Sequence, residues 1–303
     1  MRKILLTGKN GQVGWELQRT LASLGNVIAV GHREMDLADP DSIRKIIRDV
    51  RPGLIVNAAA YTAVDKAESE PNLAMAVNGV APGVMAEEAR RLNAVVIHYS
   101  TDYVFDGAKE HPYAEDDAPN PLNVYGRTKL AGEQAIQAAG APHLILRTSW
   151  VYGARGRNFL LTILRLAREK SELKIVDDQV GAPTWSRLLA EVTSQMVVQF
   201  FSPLCRPGVS LADISGIYHV TPAGSTSWHG FAAKILEGAS RQAIPAAPKL
   251  IPIPTAEYPL PATRPRNSCL SNEKLARTFG LAASAWEESL ALCLQEIVGA
   301  AAT

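Results

Sequence analysis

The first 150 residues alternate between two hydrophobic periods. Short apolar runs have the length and content of buried strands: "KILLTG" from Lys3, "NVIAVG" from Asn26, "GLIVNAAA" from Gly53, "AVVIHYST" from Ala94 and "HLILRTSWVYG" from His143. Between them, apolar residues return at helical spacing. Val13, Leu17, Leu21 and Leu24 recur three or four apart and stop at Gly25. "DPDSIRKIIRDV" has an acidic first turn and Pro40 near its start, and residues 71–93 and 121–140 carry further helical patterns. This alternation predicts an α/β fold with a Rossmann-type, doubly wound parallel sheet.

After Gly153 the pattern loosens. Prolines concentrate in "IPAAPKLIPIPTAEYPLPATRP", which reads as extended and loop-like. Helical patterns return in "SRLLAEVTSQMVVQF", "SWHGFAAKILEGA" and "AWEESLALCLQEIV". The expected organisation is a cofactor-binding domain over residues 1–152 and a smaller, mixed α/β substrate-binding domain over residues 153–303. Later segments are free to pack back on the first sheet.

Composition narrows the classes. The chain has 303 residues, 47% hydrophobic and 20% charged, with net charge +1 and no long basic run, which weighs against nucleic acid as a partner. Cys205, Cys269 and Cys293 are odd in number without CxxC spacing, and read as reduced thiols rather than a disulfide frame or zinc site. No stretch approaches the roughly 20 apolar residues of a membrane span. The apolar run near the N-terminus is too short for a signal peptide, so a cytoplasmic location is expected.

Candidate chemistry begins at "TGKNGQVG", where Gly8, Gly11 and Gly14 follow the first strand and open a helix. Glycines there let the backbone turn sharply and approach a pyrophosphate, which the helix N-terminus then faces. An acid that would hold a ribose 2′-hydroxyl is expected at the end of the second strand; Gly31, His32 and Arg33 stand there instead. A cation suits the 2′-phosphate of NADP, and Asp36 three residues later leaves a mixed preference open.

A second feature lies in "VYGRTKLAGE". Of eight tyrosines, Tyr125 alone has a lysine, Lys129, four residues on, which places the two side chains on one helical face. The preceding strand ends in the hydroxyl-rich "YSTDYVFDG". A hydride arriving at a carbonyl carbon leaves growing charge on oxygen, and a proton must reach that oxygen. A phenol of ordinary pKa about 10 becomes a better exchanging acid when an ammonium nearby favours the phenolate.

Gly8, Gly11 and Gly14, the strand-end Asn57-Ala58-Ala59-Ala60, Thr101 and the Tyr125/Lys129 pair together resemble the extended short-chain dehydrogenase/reductase family. The resemblance implies a catalytic triad of Thr101, Tyr125 and Lys129. Dehydratases of that family place Asp-Glu after the threonine. This chain has Asp102-Tyr103, so elimination lacks its base and ketone reduction remains. The segments "NAAAYTAVDKAESEP", "HYSTDYVFDG", "PLNVYGRTKLAGE", "RTSWVYG", "DDQVGAPT" and "ATRPRNS" run in order from residue 57 to 268. They are similar to those of family members that reduce dTDP-linked 4-keto-6-deoxy sugars.

That similarity implies reduction of the sugar C4 ketone to dTDP-L-rhamnose, with NADPH as cofactor and NADH as the alternative. Carried over, Thr101 and Asp102 contact the sugar, Tyr125 donates the proton, and Lys129 holds the cofactor ribose and tunes Tyr125. Trp150 lines the substrate site and Arg264 pairs with the diphosphate. Gly8, Gly11, Gln12, Val13, Gly14, Asp36, Leu37, Ala60, Tyr61 and Thr62 line the cofactor, with Arg33 toward the 2′-phosphate. A homodimer is also implied. Some members hold Mg²⁺ at the dimer interface through glutamates. Glu16 and Glu296 fit, but the third position is Arg187, which argues against a metal and for Glu–Arg pairs across the interface. Two alternatives stay open: a non-enzymatic NADP-binding regulatory subunit, and a reductase or epimerase of another nucleotide-linked 4-keto sugar.

Overall fold

The computed structural model describes residues 2–201, 211–239 and 247–301. Cys205 and Pro245 therefore lie outside the described residues. Five of the six main strands are those anticipated: β1 (Lys3–Thr7), β2 (Asn26–Val30), β3 (Leu54–Asn57), β4 (Val95–Thr101) and β5 (His143–Thr148). The sixth, β6 (Gly216–His219), comes from the second half of the chain and pairs with β5. All pairings in this sheet are parallel, in the order β6-β5-β4-β3-β1-β2. The strand order reverses between β1 and β3, and the carboxyl ends at such a switch point form a crevice.

Alternate residues feed opposite faces of each strand. Ile4, Leu6, Val56 and Ile97 enter one core with Leu17 of α1 (Gln12–Thr20) and with Leu189 and Met196 of a helix over Ser186–Phe201. Leu5, Ile55 and Val96 enter the other. There they meet Ile43 and Ile47 of α2 (Pro40–Val50), Met85 of α3 (Ala81–Arg91) and Ile136 of α4 (Val124–Ala139). Both faces are covered, so the strands read as continuous apolar runs. The helix at Ser186–Phe201 belongs to the second half by sequence yet shields the first half's sheet.

A separate cluster around Tyr152, Ile163, Trp185, Phe231, Ile235, Trp286 and Leu290 forms the core of the remaining C-terminal elements. The proline-rich stretch is less irregular than expected. Lys249–Ile253 is a strand, paired in parallel with Glu172–Val176. Pro252 is tolerated in such a two-stranded edge.

The long helix expected over residues 71–93 is interrupted by a π-helical turn, Ala76–Val80. Asn78 in that turn is buried; its Oδ1 accepts from the Tyr61 N–H at 2.8 Å and its Nδ2 donates to the Tyr61 carbonyl at 3.0 Å. The turn thus ties the loop after β3 to the helical layer.

Candidate active site

The glycine turn closes tightly. The Gly11 N–H donates to the Gly8 carbonyl at 2.9 Å, and Gly8 has φ +74°. A Cβ on Gly14 would sit 2.0 Å from the Gly8 oxygen, and one on Gly8 2.9 Å from the Ala58 carbonyl. No larger residue fits at either position. Gln12 at the helix start accepts from Asn158 Nδ2 at 2.8 Å, joining this turn to the second half of the chain.

Beside the turn lies a cavity of about 480 Å3 lined by Gly8, Gly31, His32, Asp36, Leu37, Ala60 and Tyr61, among others. It spans the carboxyl ends of β1, β2 and β3, the position where α/β folds take nucleotides. A glycine cradle, a helix N-terminus and this crevice fit a dinucleotide. Thr62 is exposed at the mouth of the same loop. Arg33 departs from expectation: it is exposed and absent from the cavity wall. An acid does stand at the end of β2, one position further on. Glu34 accepts from Lys9 Nζ at 2.6 Å and from the Gly31 N–H at 2.8 Å, and these contacts hold its carboxyl below the usual range.

The reacting groups converge where β4 ends and α4 begins. Asn123 caps α4 by accepting from the Gly126 N–H at 2.8 Å. A Cβ on Gly126 would lie 2.1 Å from the Tyr103 carbonyl, so the glycine after Tyr125 is what lets the helix start press against the end of β4. This contact sets Tyr125 beside Thr101, whose hydroxyl acts to lower the phenol's pKa. Thr101 Oγ1 also donates to Asp102 Oδ1 at 3.0 Å, and it accepts from the Tyr103 N–H at 3.1 Å. It is therefore both a strand-end cap and a neighbour of the phenol. The Tyr103 ring meets the Tyr125 ring edge-on at 5.6 Å.

Burial pushes the Tyr125 phenol up to about 12, and the nearby Asp102 charge adds to this. Asp102 is itself buried and raised to about 6, with Ser268 and Thr101 partly offsetting its desolvation. Burial brings Lys129 down to about 8. The Lys129 side-chain nitrogen is directed at His98 Nε2 (3.0 Å) and the Tyr99 carbonyl (2.6 Å), and burial is the largest cause of the phenol's shift. Glu133, one turn beyond Lys129, forms a fully buried pair with Arg147 of β5 (Nη2–Oε2 2.7 Å) and also accepts from Ser100.

Trp150, two residues past the end of β5, adopts φ +49°, a conformation uncommon for a large residue. Its indole stacks on Trp228, with centroids 3.5 Å apart and planes 7° from parallel. A Cβ on Gly181 would meet Trp150 Cε2 at 2.6 Å, so Gly181 serves the indole's fit as well as its own turn.

Arg264, expected at the diphosphate, is paired with Asp65 here: its Nη1 and Nη2 reach Asp65 Oδ1 and Oδ2 at 3.1 and 2.7 Å, which pins the loop after Ala262 to residues 64–67. The Glu–Arg set, expected across an interface, forms within one chain. Arg187 Nε lies 3.2 Å from Glu16 and its Nη2 2.9 Å from Glu296. Among the described residues, no group of three or more His, Cys, Asp or Glu is placed to hold a metal ion.

Known proteins place this geometry. The profile of the family described as "RmlD substrate binding domain" matches residues 1–298. The dTDP-4-dehydrorhamnose reductase of Burkholderia thailandensis is 50% identical over 301 residues, covering 98% of this chain and 99% of that protein. Its counterpart in Escherichia coli K12 is 48% identical over 299 residues, covering 97% of each. Among solved structures, a dTDP-4-dehydrorhamnose reductase from Clostridium acetobutylicum superposes with TM-score 0.88 at 36% identity, over 98% of this chain and 99% of that one. The Bacillus anthracis enzyme of the same name, in complex with NADP, gives 0.87 at 32% identity, over 97% and 99%. With a site of this shape and similarity along nearly its whole length, the chain belongs to the RmlD substrate-binding family.

Proposed function

We propose that this chain is a reductase that uses NADPH, or NADH, to reduce the C4 ketone of dTDP-4-dehydro-6-deoxy-L-mannose to dTDP-L-rhamnose. The observation that carries the reading is Tyr125 held against Thr101 at the end of β4, beside a glycine-turn crevice suited to a dinucleotide. The relatives' printed name and the NADP in one related structure support the substrate and cofactor. Gly8, Gly11, Gln12, Val13 and Gly14 would hold the dinucleotide's diphosphate. Asp36 and Leu37 would lie along its adenosine half, and Ala60, Tyr61 and Thr62 along the loop between its halves. When bound, the cofactor supplies a hydride to the carbonyl carbon.

The chain's own residues handle the oxygen. Tyr125, pushed up to about 12, carries its proton throughout the neutral range and is a fully loaded donor. Thr101 steadies the oxygen as charge grows on it. Asp102, mostly ionised above pH 6, accepts a hydroxyl of the sugar. Lys129, at about 8, is mostly cationic at pH 7 and supplies positive charge beneath the reacting groups. The Trp150–Trp228 stack offers a flat apolar wall to a sugar face or base. Tyr103 follows Asp102 where an eliminating enzyme needs glutamate, which supports plain reduction. The same reading includes a cytoplasmic homodimer, testable by light scattering. Among the described residues, no helix is long and apolar enough to cross a membrane.

The test mixes folded protein, NADPH and the dTDP-linked 4-keto-6-deoxy sugar and follows the reduced cofactor's absorbance. Consumption of that band, with an L-rhamno product by NMR, is expected. An unchanged band would end the proposal.

A further inference from the structure

Four polar side chains form a continuous row through the apolar sheet. Thr7 on β1 is in register with Asn57 on β3, and Asn57 is in register with His98 on β4. Lys129 reaches the row from α4. Each of the four is only 1% exposed, so solvent does not supply their hydrogen-bond partners.

Counting protons along the row fixes its state. The Ala59 N–H points at Asn57 Oδ1 and Thr7 Oγ1, both at 3.3 Å, and Thr7 Oγ1 donates to Asn57 Oδ1 at 2.6 Å. A flipped amide would turn N–H against N–H, so Oδ1 faces Thr7 and Nδ2 faces His98. Asn57 Nδ2 then donates to His98 Nδ1 at 3.0 Å. A neutral imidazole with Nδ1 accepting carries its proton on Nε2. That Nε2–H faces Lys129 Nζ at 3.0 Å, and only a free amine can accept it. The amine keeps a proton to donate to the Tyr99 carbonyl at 2.6 Å.

We propose that His98 is a positioning residue for the reaction: oriented by Asn57, it holds Lys129 by a hydrogen bond that favours the uncharged amine. The row brings the pH at which Lys129 changes charge into the working range of the enzyme. An ammonium at this position would need Nε2 as an acceptor, and that would require the imidazole proton to move and the Asn57 amide to turn. Burial acts in the same direction on both groups, lowering His98 well below its ordinary value and Lys129 to about 8. The other groups around Lys129 are Glu133 on its own helix, which favours its charge, Arg147 on β5, which is spent on Glu133, and Tyr125 with Asp102 at the end of β4. Thr7 and Asn57, on β1 and β3, carry no charge.

The inference rests on the reductase reading only for the meaning of the pH profile; the imidazole's state is read without turnover. ¹⁵N NMR of ring-labelled histidine in the wild-type protein, with His98→Asn to assign the signal, is expected to show His98 as the Nε2–H form at pH 9. An Nδ1–H form there would overturn the proposal, whatever the protein's activity. Asn57→Asp supplies an acceptor for Nδ1–H and frees Nε2 to accept from an ammonium. It should move the alkaline limb of the reduction profile upward by about one pH unit or more. A limb unmoved in folded Asn57→Asp would also overturn it, because a merely structural role would change rates without moving the limb.

Discussion

Replacing Arg147 with methionine would test how the catalytic helix is anchored. Arg147 on β5 and Glu133 on α4 are both 1% exposed, and the carboxylate accepts from Arg147 Nε (3.0 Å), Arg147 Nη2 (2.7 Å) and Ser100. Ser100 is the register partner of Arg147 and precedes Thr101, while Glu133 follows Lys129 by one turn. Arg147→Met leaves a carboxylate buried with a single hydroxyl partner. Removing one member of such a pair costs about 3–5 kcal/mol. Against a net stability of about 5–15 kcal/mol, that is a large fraction without being complete. Replacing both members, Arg147→Met with Glu133→Leu, removes the unpaired charge and should recover most of the loss, because buried pairs repay little beyond their desolvation. Urea denaturation followed by tryptophan fluorescence measures the four midpoints, of the wild type, each single variant and the double variant, with the slope checked for constancy. A single-variant loss below about 1 kcal/mol, or a double variant less stable than either single one, would refute the claim that the carboxylate depends on this partner.

Gly14→Ala places a methyl 2.0 Å from the Gly8 carbonyl, so it should abolish NADPH binding measured by fluorescence titration. Gly181→Ala pushes on the Trp150 indole from 2.6 Å. It should raise KM for the sugar at least about tenfold, an energy of about 1.4 kcal/mol, with KM for NADPH unchanged. In the wild type, reduction should fall about tenfold per pH unit above roughly pH 8, as Lys129 loses its proton; a flat profile to pH 10 would contradict the role given to that charge. Arg264→Lys breaks the two-pronged contact with Asp65 and should loosen the segment after Ala262 in hydrogen exchange while leaving NADPH affinity unchanged.

The elements that were legible in the sequence had unambiguous periods. β1 through β5 are short apolar runs bounded by turns, and the glycine turn declared its own backbone geometry. β6 was missed because "GIYH" is four residues long, lies after a loosened pattern, and draws its stability from pairing with β5 over 70 residues away in sequence. The π-helical turn was equally invisible, since Ala76–Val80 continues a helical pattern and only the Asn78 contacts give it away. Trp150 and Trp228 could not be joined from sequence, being brought together by the packing of the two halves. The Arg264–Asp65 pair was not legible, because a guanidinium fork suits a carboxylate as well as a diphosphate and Asp65 lies 199 residues away along the chain. His98 did leave a signal: a histidine within "VVIHYST" is a polar residue where a buried strand should have none. Its partners Asn57 and Lys129 emerge only from strand register and helix placement.

The central claim is that Tyr125 gives the proton to the sugar oxygen. The direct measurement is the steady-state rate of NADPH oxidation by Tyr125→Phe with the dTDP-linked 4-keto sugar, beside NADPH affinity in the same sample. The account predicts turnover reduced by about 10²-fold or more, with cofactor affinity within about twofold of wild type. Turnover retained in the folded variant would mean that another group supplies the proton, and the assignment of Tyr125 would be wrong.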